Sequence, residues 1–182
     1  MTKKLLLSAT AMILSLGLVA CASGQETDSS SDRGMDDNAA NRNIVIAGLN
    51  QSLSQISYSP NDRGWEYKAT AVPAADIQKW ANNNKELITE ALNKIDTGYA
   101  LQITGHTCSI GPRERQADGR LGNAYYSTQR AQQVLAGLRN AGIPTDKLVV
   151  KGVADDEPLS GVDSKDQTNR RVTFKIVVKP TN

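Results

Sequence analysis

The chain has 182 residues, of which 39% are hydrophobic and 22% are charged, so it can form one globular domain with an appendage but not two enzyme domains. Its formal net charge is +2 at pH 7 and 4% of its residues are aromatic, which gives neither the basic field nor the stacking surface of a nucleic-acid-binding protein. The two cysteines, Cys21 and Cys108, are too few for a disulfide-rich scaffold.

The first 20 residues have the layout of a secretory signal peptide. Lys3 and Lys4 precede an apolar run over residues 5–20, an order typical of a signal rather than of a spanning helix. The run ends in Leu-Val-Ala before Cys21, which is similar to a lipobox, where the cysteine is acylated and becomes the new amino terminus. We therefore expect a lipoprotein signal peptide over residues 1–20 and acyl chains such as palmitate that hold Cys21 in a membrane. The alternative is an ordinary signal peptide with a fortuitous cysteine.

Residues 21–43 predict a flexible tether that follows the lipidated amino terminus. Met35 is the one large apolar side chain in this stretch, so burial there cannot offset the entropy lost on ordering. A flexible chain of this length spans roughly 25 Å on average, enough to hold a domain clear of a bilayer. The domain itself is expected over residues 44–182, with its core at about 64–179.

The first part of the domain predicts a helix, a strand and a second helix. Residues 44–56 carry apolar side chains at the spacing of one short amphipathic helix. Apolar and polar residues alternate over 65–71, which predicts the first strand. From Asp76 the apolar period becomes helical, and the segment is expected to end near Gly98.

The second part of the domain predicts a strand, a long loop, a helix and two strands. The strand is expected at 99–105 and the loop, rich in turn-forming residues, at 106–122. Asn123 is expected to cap the next helix, and the last two strands are predicted at 148–153 and 172–178. Helices between successive strands favour a mixed sheet with both helices on one face, an α+β two-layer sandwich.

Three segments carry a recognisable pattern. They are Ile-Thr-Gly-His-Thr-Cys at 103–108, Asn123 with Ser127 and Arg130 on the following helix, and Asn-Arg-Arg-Val at 169–172. Over about residues 64–179 this pattern resembles the OmpA-like peptidoglycan-binding family, and the lengthened loop and the ending Asn-Arg-Arg-Val-Thr-Phe-Lys are most similar to the spirochaetal OmpA-like lipoproteins. The resemblance implies a βαβαββ domain with a mixed sheet that binds peptidoglycan and is not an enzyme.

The resemblance also implies a binding site. In this family a carboxylate meets the ammonium of the diamino acid in the peptidoglycan stem peptide, and an arginine meets its carboxylate. Arg130 matches the arginine, and a guanidinium can hold a carboxylate through two parallel hydrogen bonds. Thr107 and Asn123 match residues that line the pocket, and Arg170 is expected to close its floor. The alternatives are a solvated helix arginine for Arg130, loop bracing for Thr107 and a helix cap for Asn123. For Arg170, together with Arg171, the alternative is a brace for the acidic loop at 155–157.

The chain departs from the family pattern at Cys108, where Gly-His-Thr is followed by a thiol instead of an aspartate. A neutral thiol offers no charge to a ligand ammonium. Loss of one charge-assisted hydrogen bond costs about 1.5–3 kcal/mol, roughly ten- to a hundredfold in affinity. Two compensations are open: Glu114 or Asp118 moves toward the site, or Arg130 lowers the pKa of the thiol. If Cys21 is acylated, Cys108 is the one free thiol, and it either stays buried or links two molecules.

The sequence has too few suitable residues for nucleophilic catalysis or for a metal site. His106 and Cys108 lack the third group that would orient a nucleophile and its base, and one histidine with one thiol falls short of a zinc site, so no enzyme, metal or cofactor is expected. The sequence predicts an outer-membrane lipoprotein, anchored through Cys21 with its domain in the periplasm, that links the membrane to peptidoglycan. The alternative is a surface-exposed, virulence-associated adhesin or interaction protein that binds envelope or host proteins and has a weakened wall site.

Overall fold

The computed structural model describes the backbone of residues 30–180 and the side chains from residue 38 onward. The predicted signal peptide, Cys21 and the start of the predicted tether lie outside the described residues. Within residues 30–180, none of the helices combines the length and the hydropathy that crossing a bilayer would require.

The described chain contains three α-helices and four strands. They are α1 (Ser30–Leu53), β1 (Ser57–Tyr58), α2 (Ala74–Lys94), β2 (Tyr99–Gly105), α3 (Asn123–Asn140), β3 (Leu148–Gly152) and β4 (Val172–Val178). The strands form one sheet in the order β1-β4-β2-β3, with β2 parallel to β3 and β4 antiparallel to both β1 and β2. The predicted βαβαββ order and mixed sheet are confirmed.

The sheet buries one face against the helices. The register of β2 and β4 places Leu101 opposite Ile176 and Ile103 opposite Phe174, so these four side chains lie on the same face. All four belong to one buried core together with apolar side chains of α2 and α3. The predicted two-layer α+β sandwich is therefore confirmed, and its core fixes where β2 ends and the following loop begins.

The strand predicted at 65–71 is wrong. This stretch, which we call the 65–71 segment, is irregular, and it turns at Lys68, whose φ of 61° lies in the left-handed region. Trp65 is buried and its indole Nε1–H donates to the carbonyl of Ala71 at 2.9 Å. Of the apolar residues that alternate here, Trp65 is buried whereas Tyr67 and Ala71 are exposed, so the alternation does not mark a buried strand face. The first strand is instead β1, which pairs with Val172 and Thr173 of β4.

Helix α1 begins earlier than the periodicity predicts. Residues 30–43, expected to be part of a flexible tether, form the first half of α1. Ala39 and Ala40 favour a helix, and Arg42 reaches Asp96 after α2 in a 3.5 Å ion pair. The helix predicted at 44–56 is thus the second half of a longer helix that ends at Leu53.

Helix α1 also completes the sheet beyond the two residues of β1. The Asn50 side chain accepts a hydrogen bond from the backbone N–H of Ile176 at 2.6 Å and donates to the carbonyl of the same residue at 3.2 Å. The side-chain amide of Asn50 therefore satisfies the N–H and the C=O of Ile176, which would pair with the neighbouring strand if β1 were longer. Because of this contact, the second half of α1 is part of the folded domain.

Candidate functional site

The five residues predicted to form the site lie around one pocket. Thr107 and Cys108 come from the loop after β2, Asn123 and Arg130 from α3, and Arg170 from the turn before β4. The remaining lining residues are Tyr67, Lys68, Ile110 and Tyr126. The cavity measures about 10 Å³, room for at most one water molecule. A ligand therefore has to displace part of the lining.

Close packing of β2 against α3 sets the position of this loop. A Cβ added to Gly105 would overlap the carbonyl oxygen of Ser127 and lie 2.8 Å from its carbonyl carbon. After this contact, the backbone N–H of His106 donates to Arg171 at 2.9 Å and that of Thr107 to Ala154 at 2.7 Å. These two bonds fix the loop between the segments that follow β3 and precede β4.

Arg130 is a structural anchor of the pocket and not a solvated helix arginine. Its side chain is 1% exposed. Its Nε and Nη2 donate to the carbonyl of Ala69 at 3.1 and 2.9 Å, its Nη1 donates to the carbonyl of His106 at 3.2 Å, and the guanidinium lies 5.4 Å from the ring centroid of Trp65. Arg130 thus connects α3 to the 65–71 segment and to the loop after β2.

The electrostatic surroundings of Arg130 are unfavourable for its charge. Burial, and secondarily the charge of Arg170, lower the pKa of Arg130 to about 10. The guanidinium remains protonated at neutral pH, so it can still bind a carboxylate through two hydrogen bonds. In the structure, the hydrogen bonds of Arg130 go to uncharged carbonyl groups.

Arg170 is the cation that contacts the thiol of Cys108. Its Nη1 lies 3.5 Å from Sγ, and the two side chains are 6% and 2% exposed. The sequence had proposed Arg130 as the cation that acts on this thiol, and the structure adds a direct contact from Arg170. The Arg170 Nε and the Thr107 Oγ1 are both buried and have no hydrogen-bond partner in the described part of the chain.

Asn123 is the first residue of α3 and does not cap it, so the predicted cap is wrong. Gly122 is the N-cap residue, and no side chain caps the helix there. The Asn123 Nδ2 instead donates to the carbonyl of Cys108 at 3.2 Å and to Asp155 Oδ1 at 3.4 Å. Asn123 thus connects the loop after β2 with the loop after β3, and it also lines the pocket.

The acidic residues proposed to compensate for Cys108 are engaged elsewhere. Asp118 binds Arg120 at 2.7 Å and Glu114 lies 3.4 Å from Arg113, in exposed ion pairs. Neither carboxylate lines the pocket. The lining contains the cations Lys68, Arg130 and Arg170 and no Asp or Glu, so the pocket is positively charged.

Arg171 braces the loop after β3, a role that the sequence had offered for Arg170 and Arg171 together. Its Nη2 donates to the carbonyl of Glu157 at 3.1 Å and its Nη1 to that of Asn169 at 3.3 Å. Arg171 also lines a larger groove of about 550 Å³ near β1, together with Ile56 and Phe174. None of the five predicted site residues lines this second groove.

His106 and Cys108 contact different partners. The Nε2 of His106 lies 2.8 Å from Thr173 Oγ1, and its Nδ1 lies 3.8 Å from Glu157 Oε2, whereas the thiol meets Arg170. In the described residues, no group of three or more His, Cys, Asp or Glu side chains could hold a metal ion.

We expect His106 to make the folded state sensitive to mild acid. Burial, and secondarily the charge of Arg171, lower the pKa of His106 from 6.5 to about 3. Between these values the unfolded chain binds a proton that the folded chain does not, so stability falls as the pH falls. From pH 7.5 to pH 5 the free energy of unfolding should decrease by about 2 kcal/mol, measured by urea denaturation.

His106→Gln is the control for this prediction, since glutamine has a polar end but does not titrate. Hydrogen bonds from Thr168 lower the pKa of Asp166, which moves its titration further below the range from pH 5 to 7.5. We expect the variant to lose most of the pH dependence. A wild type equally stable at pH 5 and 7.5, or an unchanged slope in the variant, would contradict the assignment.

Comparison with known proteins places this chain in a described family. The family model that matches is that of the OmpA family, over residues 72–171. This match covers more than half of the chain and includes all five predicted site residues. No curated protein sequence matches the chain.

Several solved structures are similar to the chain at low identity. The OmpA-like domain of FopA1 from Francisella tularensis is 20% identical over 66% of this chain and 73% of that chain, with a TM-score of 0.43. The peptidoglycan-associated lipoprotein from Burkholderia pseudomallei is 17% identical over 63% and 88%, with a TM-score of 0.44. A periplasmic domain of Helicobacter pylori MotB is 14% identical over 69% and 82%, with a TM-score of 0.47.

Proposed function

The chain belongs to the OmpA family, and on this premise we propose that its domain binds the stem peptide of peptidoglycan at the pocket around Cys108. Domains of this family generally bind peptidoglycan and are typically non-catalytic. One observation carries the proposal for this chain: the five residues picked out by the family pattern converge on one pocket with two buried guanidinium groups. The domain is therefore proposed to be a binding module and not an enzyme.

Binding at this pocket requires the 65–71 segment to move. The carbonyl of Ala69 accepts hydrogen bonds from Nε and Nη2 of Arg130. These two groups form the edge of the guanidinium to which a ligand carboxylate would bind. A ligand carboxylate would replace this single carbonyl acceptor by two charged oxygens, one for each N–H, in a bidentate ion pair. Tyr67 and Lys68, on the same segment, would move with Ala69 and open the pocket.

We further propose that acyl chains on Cys21 hold the protein in the outer membrane with its domain in the periplasm. Supporting this are the charged start, the apolar run and the small residues before Cys21. The first half of α1, residues 30–43, precedes the part that packs on the domain and would add about 20 Å of helix at 1.5 Å per residue between the domain and the membrane. The protein would thereby link the membrane to the cell wall, as the resemblance to spirochaetal OmpA-like lipoproteins implies.

A surface-exposed adhesin or interaction lipoprotein is the second candidate function. Two observations favour it: the pocket holds about 10 Å³, and a thiol, Cys108, stands where the family pattern has an aspartate. On this alternative, the fold is retained but the partner is an envelope or host protein, and the wall site is weakened or lost.

Co-sedimentation with purified sacculi tests the proposed function. The chain from residue 22 onward, which contains every described residue, is mixed under reducing conditions with intact sacculi and with sacculi stripped of stem peptides by an amidase. We expect the protein to pellet with intact sacculi and to stay in solution with stripped ones. Arg139→Ala, an exposed change on α3, should pellet as the wild type does.

Two results would contradict the proposal. If the protein stays in solution with intact sacculi, the interaction lipoprotein is favoured and protein partners become the targets of the search. If it pellets equally with stripped sacculi, the glycan and not the stem peptide is the ligand.

A further inference from the structure

The charge of the pocket does not suit a ligand that presents an ammonium group. Arg130 and Arg170 are nearly inaccessible to solvent, and Lys68 lies at the exposed edge. No lining residue is an aspartate or a glutamate. Asp155 accepts a hydrogen bond from Asn123 but does not line the pocket. A ligand ammonium would therefore find uncharged acceptors in the lining and no carboxylate to pair with.

Several polar groups of the pocket are left with weak partners or none. The Nη1 of Arg170 meets a thiol sulfur at 3.5 Å, which is a weak acceptor. The Arg170 Nε and the Thr107 Oγ1 are buried without a hydrogen-bond partner in the described residues. Buried polar groups are normally satisfied, and a desolvated cation is stabilised most by an anion that also accepts its hydrogen bonds.

A single carboxylate satisfies these groups together. Its two oxygens can accept from the guanidinium groups of Arg170 and Arg130 and from the hydroxyl of Thr107. The negative charge also offsets the burial of the Arg130 guanidinium and, secondarily, the charge of Arg170, the two causes that lower the pKa of Arg130. An amine next to that carboxylate has no matching anion in the lining.

We propose that Cys108 makes this pocket selective for a carboxylate alone, so that an ammonium group beside the ligand carboxylate contributes nothing to affinity. The ligand class is an amino acid whose carboxylate is free and whose neighbouring amine is acylated or absent, at the end of a side chain or of a peptide. This inference rests on the proposed function and specifies what the site recognises in the stem peptide. A stem peptide whose side-chain amine is acylated binds as well as one whose amine is free.

Three tripeptides that differ in one residue test the inference. All have the form L-Ala-γ-D-Glu-X, where X is diaminopimelate, 2-aminopimelate without the second amine, or lysine without the second carboxylate. Calorimetric titration of the chain from residue 22 onward, under reducing conditions, should give dissociation constants within twofold for the first two peptides. The lysine peptide should bind at least tenfold more weakly.

Two variants of matched shape isolate the role of charge at position 108. Cys108→Asp supplies the missing carboxylate, and we expect it to favour the diaminopimelate peptide over the 2-aminopimelate peptide by ten- to a hundredfold. Cys108→Asn has nearly the same shape without the charge and should bind both equally. Thermal unfolding of each variant checks that it is folded.

The possible failures are distinguishable. If the wild type binds the diaminopimelate peptide at least tenfold more tightly than the 2-aminopimelate peptide, or binds the lysine peptide equally well, the inference is overturned while the proposed function stands. If sacculi pellet the protein but no peptide binds, the ligand lies elsewhere in the wall and the inference is likewise overturned. If neither sacculi nor peptides bind, the proposed function fails, and the inference with it.

Discussion

Arg130→Ala is expected to lower the free energy of unfolding by about 3 kcal/mol and to abolish pelleting with sacculi. The change removes three hydrogen bonds of a buried guanidinium and leaves the carbonyls of Ala69 and His106 without those donors. Unsatisfied buried carbonyls and the cavity beside Trp65 both destabilise the fold. Urea denaturation followed by tryptophan fluorescence measures the first effect, because Trp65 lies against the guanidinium.

Two controls separate stability from binding. Arg139→Ala changes an exposed arginine in the last turn of the same helix, and it should have little effect on either measurement. Arg130→Lys retains the charge but loses the planar fork, so we expect an intermediate stability and weakened pelleting. An Arg130→Ala protein as stable as the wild type would show that the guanidinium does not anchor the 65–71 segment.

Gly105→Ala is expected to destabilise the domain by about 3 kcal/mol or more. The added Cβ would overlap the carbonyl oxygen of Ser127 and lie 3.3 Å from the Cβ of Ala131. Both neighbours belong to α3, so the helix would have to move away from β2, and forced shifts of this kind in a packed core are costly. Because Thr107 and Cys108 follow two and three residues later, we expect sacculus binding to weaken as well.

Gly48→Ala is the matched control for this substitution. Gly48 lies in α1 with no atom within 4 Å of an added Cβ, and alanine favours a helix by about 1 kcal/mol over glycine. We expect this variant to be as stable as the wild type or slightly more so. If Gly105→Ala unfolds at the same urea concentration as Gly48→Ala, β2 and α3 do not require this close approach.

The central strands could be predicted from the sequence because their side chains alternate between core and outer face over seven residues. β2 and β4 begin and end at the predicted residues, and α2 also follows its apolar period. β1 has two residues, too few for any period. Residues 65–71 alternate like a strand, yet their carbonyls accept from Arg130 and Trp65, contacts that no local pattern contains.

The sequence grouped five residues that the fold places around one pocket, but it did not predict how closed that pocket is. The spacing of the family pattern identified five residues that the fold brings together, although they come from three separate parts of the chain. Tyr126 was missed, even though it lies one turn before Arg130 on the same helix face, a spacing that could have identified it. The turn that brings Tyr67 and Lys68 to the pocket could not be predicted. Lys68 adopts a positive φ there, and the sequence lacks the glycine that normally marks such a turn.

The burial of Arg130 and Arg170 could likewise not be predicted from the sequence. Arginines are mostly exposed, and an isolated helix arginine gives no indication of the carbonyls that it will meet. The replacement of aspartate by Cys108 was visible, but its consequence depends on Asp118 and Glu114, and their ion pairs with Arg120 and Arg113 become apparent only in the fold.

The central claim is that the pocket around Cys108 receives the stem peptide, and an NMR titration tests it most directly. The ¹H–¹⁵N spectrum of the chain from residue 22 onward is recorded while the L-Ala-γ-D-Glu-diaminopimelate peptide is added under reducing conditions. We predict shifts that saturate at the amides of Thr107, Cys108 and Asn123 and extend into the 65–71 segment as it opens. Shifts confined to the groove near Ile56 and Phe174, or a spectrum that does not change, would contradict the claim.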